Sequence, residues 1–221
     1  MRRYKFLNLK EENIISSYNE NFKWKIGKWY KTDDKLIMCG KGFHCSKTPL
    51  DALRYVPGEV LAIVEVKGKS IKQKDKECWE EMRIKKAYRW TKKDSLKLAI
   101  YSAELVLGNF EKEYPEDNRP RKAIEIAKKV LKEDTEKNRL AAEVAARAAW
   151  ATARAAWATA RAAWATEAAE AAAWAAEAAR SVIWAAEAAA RAAWSKKPTI
   201  EKKVNRWFIN HIEDLELIGE A

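Results

Sequence analysis

In the first part of the chain, apolar and polar residues alternate in short runs, the period-two pattern of half-buried strands. Tyr4–Asn8 and Asn13–Tyr18 are short predicted strands, and Val60–Val66 is the strongest, alternating around Ile63 and Val64. Met82–Trp90 is another. In Phe22–Lys31 the positions Trp24, Ile26 and Trp29 stand among lysines, which predicts a strand or hairpin bending at Gly27. Leu36–Cys39 and Gly42–Ser46 follow as short segments. A helix starts after Thr48, which caps it with Pro49 at its first position, and runs to about Tyr55 before Pro57-Gly58. Beyond it the period lengthens to that of a helix. Asp94 or Ser95 caps an amphipathic helix through Leu98, Ile100, Ala103, Val106 and Leu107, ending near Tyr114. Pro120 opens the next, through Ala123, Ile124, Ala127, Val130 and Leu131. After Pro198 a last helix uses Ile200, Val204, Trp207, Phe208 and Ile212.

Between Arg139 and Trp194 both patterns give way to alanine, with Trp150, Trp157, Trp164, Trp174, Trp184 and Trp194 set into it. Alanine loses no side-chain entropy in a helix, so this stretch is predicted to be helical. The first three rings are seven residues apart and form one stripe, drifting by roughly 20° per step. Arg147, Arg154 and Arg161 repeat in phase with them. After Trp164 the spacing becomes ten, which is not a whole number of turns. Two architectures fit. A single helix roughly 80 Å long, at 1.5 Å per residue, would need self-association to cover its rings. A bundle of shorter antiparallel helices would turn near Thr166–Glu170 and Arg180–Ser181, and is slightly preferred.

The expected fold is therefore an α+β N-terminal domain, residues 1–116, followed by an all-α Ala/Trp-rich helical domain, residues 117–221. Charge separates the two. Residues 1–110 hold 24 Lys and Arg against 14 Asp and Glu, so nearly all of the chain's net +11 lies there. Such a surface suits an anionic partner, a nucleotide or a nucleic acid, or is simply solvated lysine. Each few residues of the alanine stretch carry a charge, so no membrane span is expected. No leader is visible, and three cysteines make no disulfide framework, which predicts a cytoplasmic protein.

The segments Trp24-Lys-Ile-Gly-Lys-Trp-Tyr30, Gly42-Phe-His-Cys45 and Val64-Glu-Val-Lys-Gly68 resemble an uncharacterised domain common in phages of low-GC bacteria. Asp117-Asn-Arg-Pro-Arg-Lys-Ala-Ile124, with the alanine repeats after it, is similar to an immunity-protein family found near polymorphic toxins. Together these resemblances imply a phage or prophage accessory protein that neutralises a host defence. A third resemblance is to ADP-ribosyltransferases, carried by Gly42–Ser46, the helix to Tyr55 and the strand Val60–Val66. It implies that His44 with Ser46 would hold a nicotinamide and that Glu81 would stabilise a ribosyl cation. The Arg or His of that family's first strand has no match in Tyr4–Asn8.

Candidate chemistry divides three ways. Cys39, His44, Cys45 and Cys78 are of zinc-binding type, but five residues separate Cys39 from Cys45 and no second cysteine pair exists. No metal and no cofactor are expected. The Trp/Arg ladder offers flat faces for bases and guanidinium groups for phosphate, which marks Trp150, Arg154, Trp157, Arg161 and Trp164 as the leading ligand site. Rings at helical spacing also serve as core. A second candidate is Trp24, Lys25, Trp29 and Tyr30 in the more basic part of the chain. The leading expectation is non-catalytic binding of a nucleotide-type molecule or a host defence protein. The alternatives are a transferase-like enzyme and a structural homo-oligomer.

Overall fold

The computed structural model describes residues 2–33, 35–158, 169–175 and 198–221. The contacts within the chain form two compact units. One combines Met1–Trp90 with Phe208–Ala221, and the other is Thr91–Trp207.

The first unit is built on a curled antiparallel sheet of eight strands. Its strands are β1 (Arg3–Lys10), β2 (Asn13–Ser16), β3 (Asn19–Trp24), β4 (Tyr30–Lys31), β5 (Phe43–Cys45), β6 (Val60–Lys72), β7 (Glu77–Arg89) and β8 (Leu217–Glu220). The main path runs β3-β2-β1-β6-β7-β4, and β5 and β8 also pair with β7. The central hairpin of β6 and β7 is long, with 13 residues in each strand. Its register shifts between Ile63 and Val64 and again between Lys67 and Ser70. Irregularities of this kind bend a strand and sharpen its twist, which accounts for the curl. At the second of them Gly68 takes a φ of +80°, and the Glu80 carboxylate accepts a hydrogen bond from the Lys69 amide at 3.0 Å.

Both faces of the sheet are covered within this unit. Leu7, Val60, Ala62, Val64, Met82 and Ile84 form one core. On the other side Trp90 stacks on Phe208 at 5.0 Å between ring centroids, and Phe6 meets the edge of Trp90 at 5.7 Å. Helix α1 (Pro49–Tyr55) is capped as its sequence predicts, with Thr48 Oγ1 accepting from the Asp51 amide at 3.1 Å. Leu50 and Leu53 are fully buried.

The second unit is helical in its described residues: α2 (Lys92–Glu113), α3 (Arg119–Lys132) and α4 (Glu136–Ala158), the helical residues 169–175, and the first turns of α5 (Pro198–His211). Thr91, and not Asp94 or Ser95, is the N-cap of α2. Its hydroxyl accepts from the Asp94 amide at 3.3 Å, and Asp94 accepts from the Thr91 amide at 2.9 Å. The two residues form a capping box, so Asp94 is the third helical residue. Ala173 packs in one cluster with Ala123, Ala145, Ala146 and Ala149. Ala149 and Ala173 would lie roughly 36 Å apart on a single straight helix. The described pieces are thus side by side, joined through alanine faces without bulk. The predicted turn at Arg180–Ser181 and most of Thr166–Glu170 lie outside the described residues.

The expected fold class requires correction. Residues 117–221 do not form an all-helical terminal domain, because Leu217–Glu220 is a strand hydrogen-bonded to β7. Leu217, Ile218 and Gly219 are too short a run to announce a strand alone. The register Lys86 with Glu220 and Ala87 with Gly219 places them on β7 beyond β4. The units divide after Trp90 and after Trp207, where the sequence suggested one division after residue 116. Nor do Phe22–Lys31 form a hairpin. Gly27 does bend the chain with a φ of +81°, but β3 pairs with β2 and β4 pairs with β7.

Candidate ligand-binding pocket

β5 is placed by a close approach of backbone to side chain. Gly42 takes a φ of +115°, and a Cβ there would lie 2.5 Å from the Cys78 sulfur. Only glycine fits both conditions. The next residues pair with the start of β7, Phe43 with Trp79, His44 with Cys78 and Cys45 with Glu77. Ser46 then exchanges two backbone hydrogen bonds with Tyr4, each 2.9 Å. β5 therefore reaches from β7 to β1 and bounds a pocket of about 550 Å³ on that side. The β2–β3 hairpin supplies Ser16, Ser17, Tyr18, Phe22 and Trp24 to its wall, α1 supplies Ala52 and Tyr55, and the β6–β7 turn supplies Lys76.

Aromatic side chains dominate this lining: Tyr18, Phe22, Trp24, Phe43 and Tyr55, while Tyr4 and Phe6 border it from β1. Trp24 is held firmly, since its Nε1 donates to Ser16 Oγ at 3.0 Å and its ring lies 5.0 Å from both Phe22 and Tyr30. The charged lining residues are Lys5 and Lys76, and no Asp or Glu is among them. Lys5 is half-buried and donates from Nζ to the His44 carbonyl oxygen at 2.8 Å. Burial pushes its amine below the usual lysine range, against an opposite pull from the Cys45 and Cys78 thiols. Lys76 donates to the Cys39 sulfur at 2.9 Å and lies 4.7 Å from the centre of the Tyr55 ring.

His44 is tuned to be neutral. Its Nε2 accepts from the Cys39 amide at 2.9 Å, a bond that exists only when that nitrogen is unprotonated. Burial lowers its pKa, helped by the charges of Lys5 and Lys76, while backbone hydrogen bonds with Gly42 and Ile37 act the other way. Burial also raises the Cys45 thiol to about 12, so Cys45 is not a ready thiolate. Tyr55 is pushed to about 12 by burial and by its hydrogen bond to Asp75. Among the described residues, Ser17 on the wall has a buried Oγ without a hydrogen-bond partner.

The sequence candidates scatter. His44 and Ser46 line the pocket, but Glu81 does not; it pairs with Lys67 at 3.0 Å. Glu81 alternates with the core residue Met82 along β7, which puts it on the opposite face of the sheet. The set Trp24, Lys25, Trp29 and Tyr30 divides likewise. Trp24 and Tyr30 join the inner aromatic cluster, and the Lys25 amide donates to the Tyr30 hydroxyl at 2.8 Å. Trp29 lies beneath the Lys67 ammonium at 4.4 Å and the Arg83 guanidinium at 4.9 Å, on the Glu81 face. Trp150, Arg154 and Trp157 fall within α4, but their side chains are outside the described ones, and Arg161 and Trp164 are outside the described residues altogether. Among the described residues no three His, Cys, Asp or Glu are grouped to hold a metal ion, and no helix is long and apolar enough to cross a membrane.

Lys5, Phe43 and Lys76 belong to the pocket without having been singled out in the sequence. Lys5 stands between Tyr4 and Phe6, so alternation sends it to the face opposite those rings. It shares that face with the core residue Leu7.

Residues 4–94 match the family model of a domain of unknown function, DUF7666. This covers less than half of the chain and takes in β1 to β7 and α1. No curated protein matches the chain, and no solved structure does.

Proposed function

We propose that this is a non-catalytic binding protein whose sheet unit holds a flat, negatively charged small molecule of nucleotide type. The observation that carries this is the composition of the pocket. Five aromatic side chains, Tyr18, Phe22, Trp24, Phe43 and Tyr55, and two lysines line about 550 Å³ with no carboxylate among the lining residues. That volume is in the range of small-molecule sites. Base-like rings are held by aromatic faces, and an anionic group is held by the Lys76 ammonium, with the Lys5 amine beside it as a hydrogen-bond donor. An acidic lining would repel such a ligand. The transferase-like reading has less behind it, because Glu81 is paired with Lys67 on the other face.

The resemblances of the first domain to a phage-associated domain, and of Asp117–Ile124 to an immunity-protein family, support a biological setting. In it the protein is a phage or prophage accessory factor that withdraws a nucleotide signal from host defence. The test is direct. Protein purified from cells is denatured and the released small molecules are identified by mass spectrometry, and a panel of nucleotides is then titrated by calorimetry. A nucleotide should bind the wild-type chain, and Lys76→Glu should weaken it about tenfold or more, by loss of one charge contact and gain of a repulsive one. Glu81→Gln should leave affinity unchanged. A chain that takes up no nucleotide, or binds it equally well with Lys76→Glu, refutes the reading.

A further inference from the structure

We propose that Lys5 captures a carbonyl compound covalently: its Nζ forms an imine with the aldehyde group of a flat, apolar-bodied molecule seated in the pocket. Two cations stand on one strand. Arg3 and Lys5 alternate on the same face of β1; Arg3 is buried and Lys5 is half-buried at the pocket wall. Arg3 is given a carboxylate, with Nε 2.6 Å from Glu77 Oε2 and Nη2 3.1 Å from Oε1. Lys5 has no ion pair among the described residues, and the bond it makes is to a neutral acceptor, the His44 carbonyl. Removing a cation from water without a counter-ion is costly unless it sheds its proton. A structural lysine at this place would carry a partner as Arg3 does.

The surroundings suit the free amine. The titratable groups facing it are the Cys45 and Cys78 thiols and the neutral His44, with Lys76 across the pocket and the Arg3–Glu77 pair already internally satisfied. Burial lowers the amine's pKa, so a larger fraction is nucleophilic near neutral pH than for an exposed lysine. The His44 carbonyl holds one N–H and thereby fixes the nitrogen at the pocket wall. The aromatic lining gives a planar aldehyde a place to rest.

The chemistry is balanced without an oxidant or reductant. The amine lone pair adds to the carbonyl carbon to give a carbinolamine. The carbonyl oxygen then leaves as water with the two amine hydrogens, and a C=N bond replaces C=O. Hydrolysis reverses it, so capture is reversible and the protein stays a binder. The proposal shares its pocket with the nucleotide reading but not its ligand, and either can fail alone.

The probe is benzaldehyde, which carries no charge and so is not steered by the lysine-rich surface. The full-length protein is incubated with it at neutral pH, imines are trapped with sodium cyanoborohydride, and adducts are mapped by peptide mass spectrometry. Lys5 should be modified about tenfold faster than any exposed lysine, the advantage of an amine with a depressed pKa. Its rate should reach a plateau at lower pH than theirs. Lys5→Arg, which keeps a cation and loses the nucleophile, should remove that adduct and leave the others. Adducts spread over exposed lysines with no preference for Lys5 would overturn the proposal, as would a Lys5 rate that follows the same pH profile as surface lysines. Both readouts come from the wild-type protein, so they stand even if the variant folds poorly. Nucleotide binding with Lys5 unlabelled would sink this inference alone.

Discussion

Glu77 has no exposed surface, yet it is held as a carboxylate. Burial pushes its pKa up. Hydrogen bonds from Arg3 and from Trp79 Nε1, at 2.9 Å, and the charges of Arg3 and Lys47 outweigh that and leave it below the ordinary glutamate value. A buried pair of this kind adds little over apolar residues, but breaking it is costly because the surviving charge is stranded. Glu77→Gln should therefore cost about 3–5 kcal/mol in urea unfolding. Arg3→Met combined with Glu77→Leu should cost less than Glu77→Gln does alone. The pH dependence follows from the sign of the shift. A carboxyl depressed in the folded state contributes stability that is fully present above its unfolded value, 4.5, and is lost as pH falls through the lower folded value. The wild-type urea midpoint should begin to fall below that pH, and the double variant should lack that part of the decline. Equal acid sensitivity in the two proteins would mean the pair is not the titrating element.

At the scale of elements, two glycines separate a packing constraint from a conformational one. A Cβ on Gly58 would lie 2.2 Å from the Leu7 carbonyl oxygen, so the segment entering β6 rests directly on the backbone of β1. Gly58→Ala must push these apart, at about 1–3 kcal/mol. Gly108 lies inside α2, and among the described residues nothing lies within 4 Å of such a Cβ. Gly108→Ala should stabilise by about 0.8–1 kcal/mol, the difference in helix propensity. Thermal and urea unfolding of both variants would check the contrast, and a destabilising Gly108→Ala would contradict the described packing of α2. The same contrast shows which elements were legible. Val60–Val66 and the helices through Leu98 and Ala123 follow from period, and the Thr48–Pro49 helix start from its cap, which are local; the sequence puts the cap of α2 one turn late. The rest of β6 was hidden because Lys67-Gly-Lys-Ser70 has no apolar alternation; it is held by pairing with Trp79 and Cys78 of β7. The pocket was hidden for a related reason. Its walls come from Lys5, Trp24, His44, Tyr55 and Lys76, which only the crossing of β5 from β7 to β1 brings together. His44, Ser46 and Glu81 stood out through the resemblance to ADP-ribosyltransferases, and the place of Glu81 on the far face could be known only from the β7 register.

For the whole molecule, the order of the chain and the order of its folding units differ. The helical unit is inserted between Trp90 and Phe208, and the sheet unit is completed only when the C-terminal segment returns. Two things depend on that return. Phe208 stacks on Trp90, which is 2% exposed and is among the largest fully buried side chains of the described residues. The outer edge of β7 is also covered in sequence, by β5 and β4, by the Gly27 amide bonded to the Ile84 carbonyl, by the Ala221 amide bonded to the Lys85 carbonyl, and by β8. An uncovered edge of such length is a site for aggregation. Residues 1–90 alone, though they hold nearly all of the matched domain, should therefore fold poorly, with Trp90 fluorescence shifted toward that of exposed indole and without a cooperative urea transition. Residues 1–90 joined by a short glycine–serine linker to 208–221 should regain that transition, because the 5.0 Å stack of Trp90 on Phe208 shows that the two ends of the gap are neighbours. The linked protein should also retain the Lys5 reactivity and any nucleotide affinity, since every residue lining the pocket lies between Tyr4 and Lys76. A cooperative transition in residues 1–90 at the same urea concentration as in the linked protein would show that the returning segment adds nothing. The matched domain would then be self-sufficient.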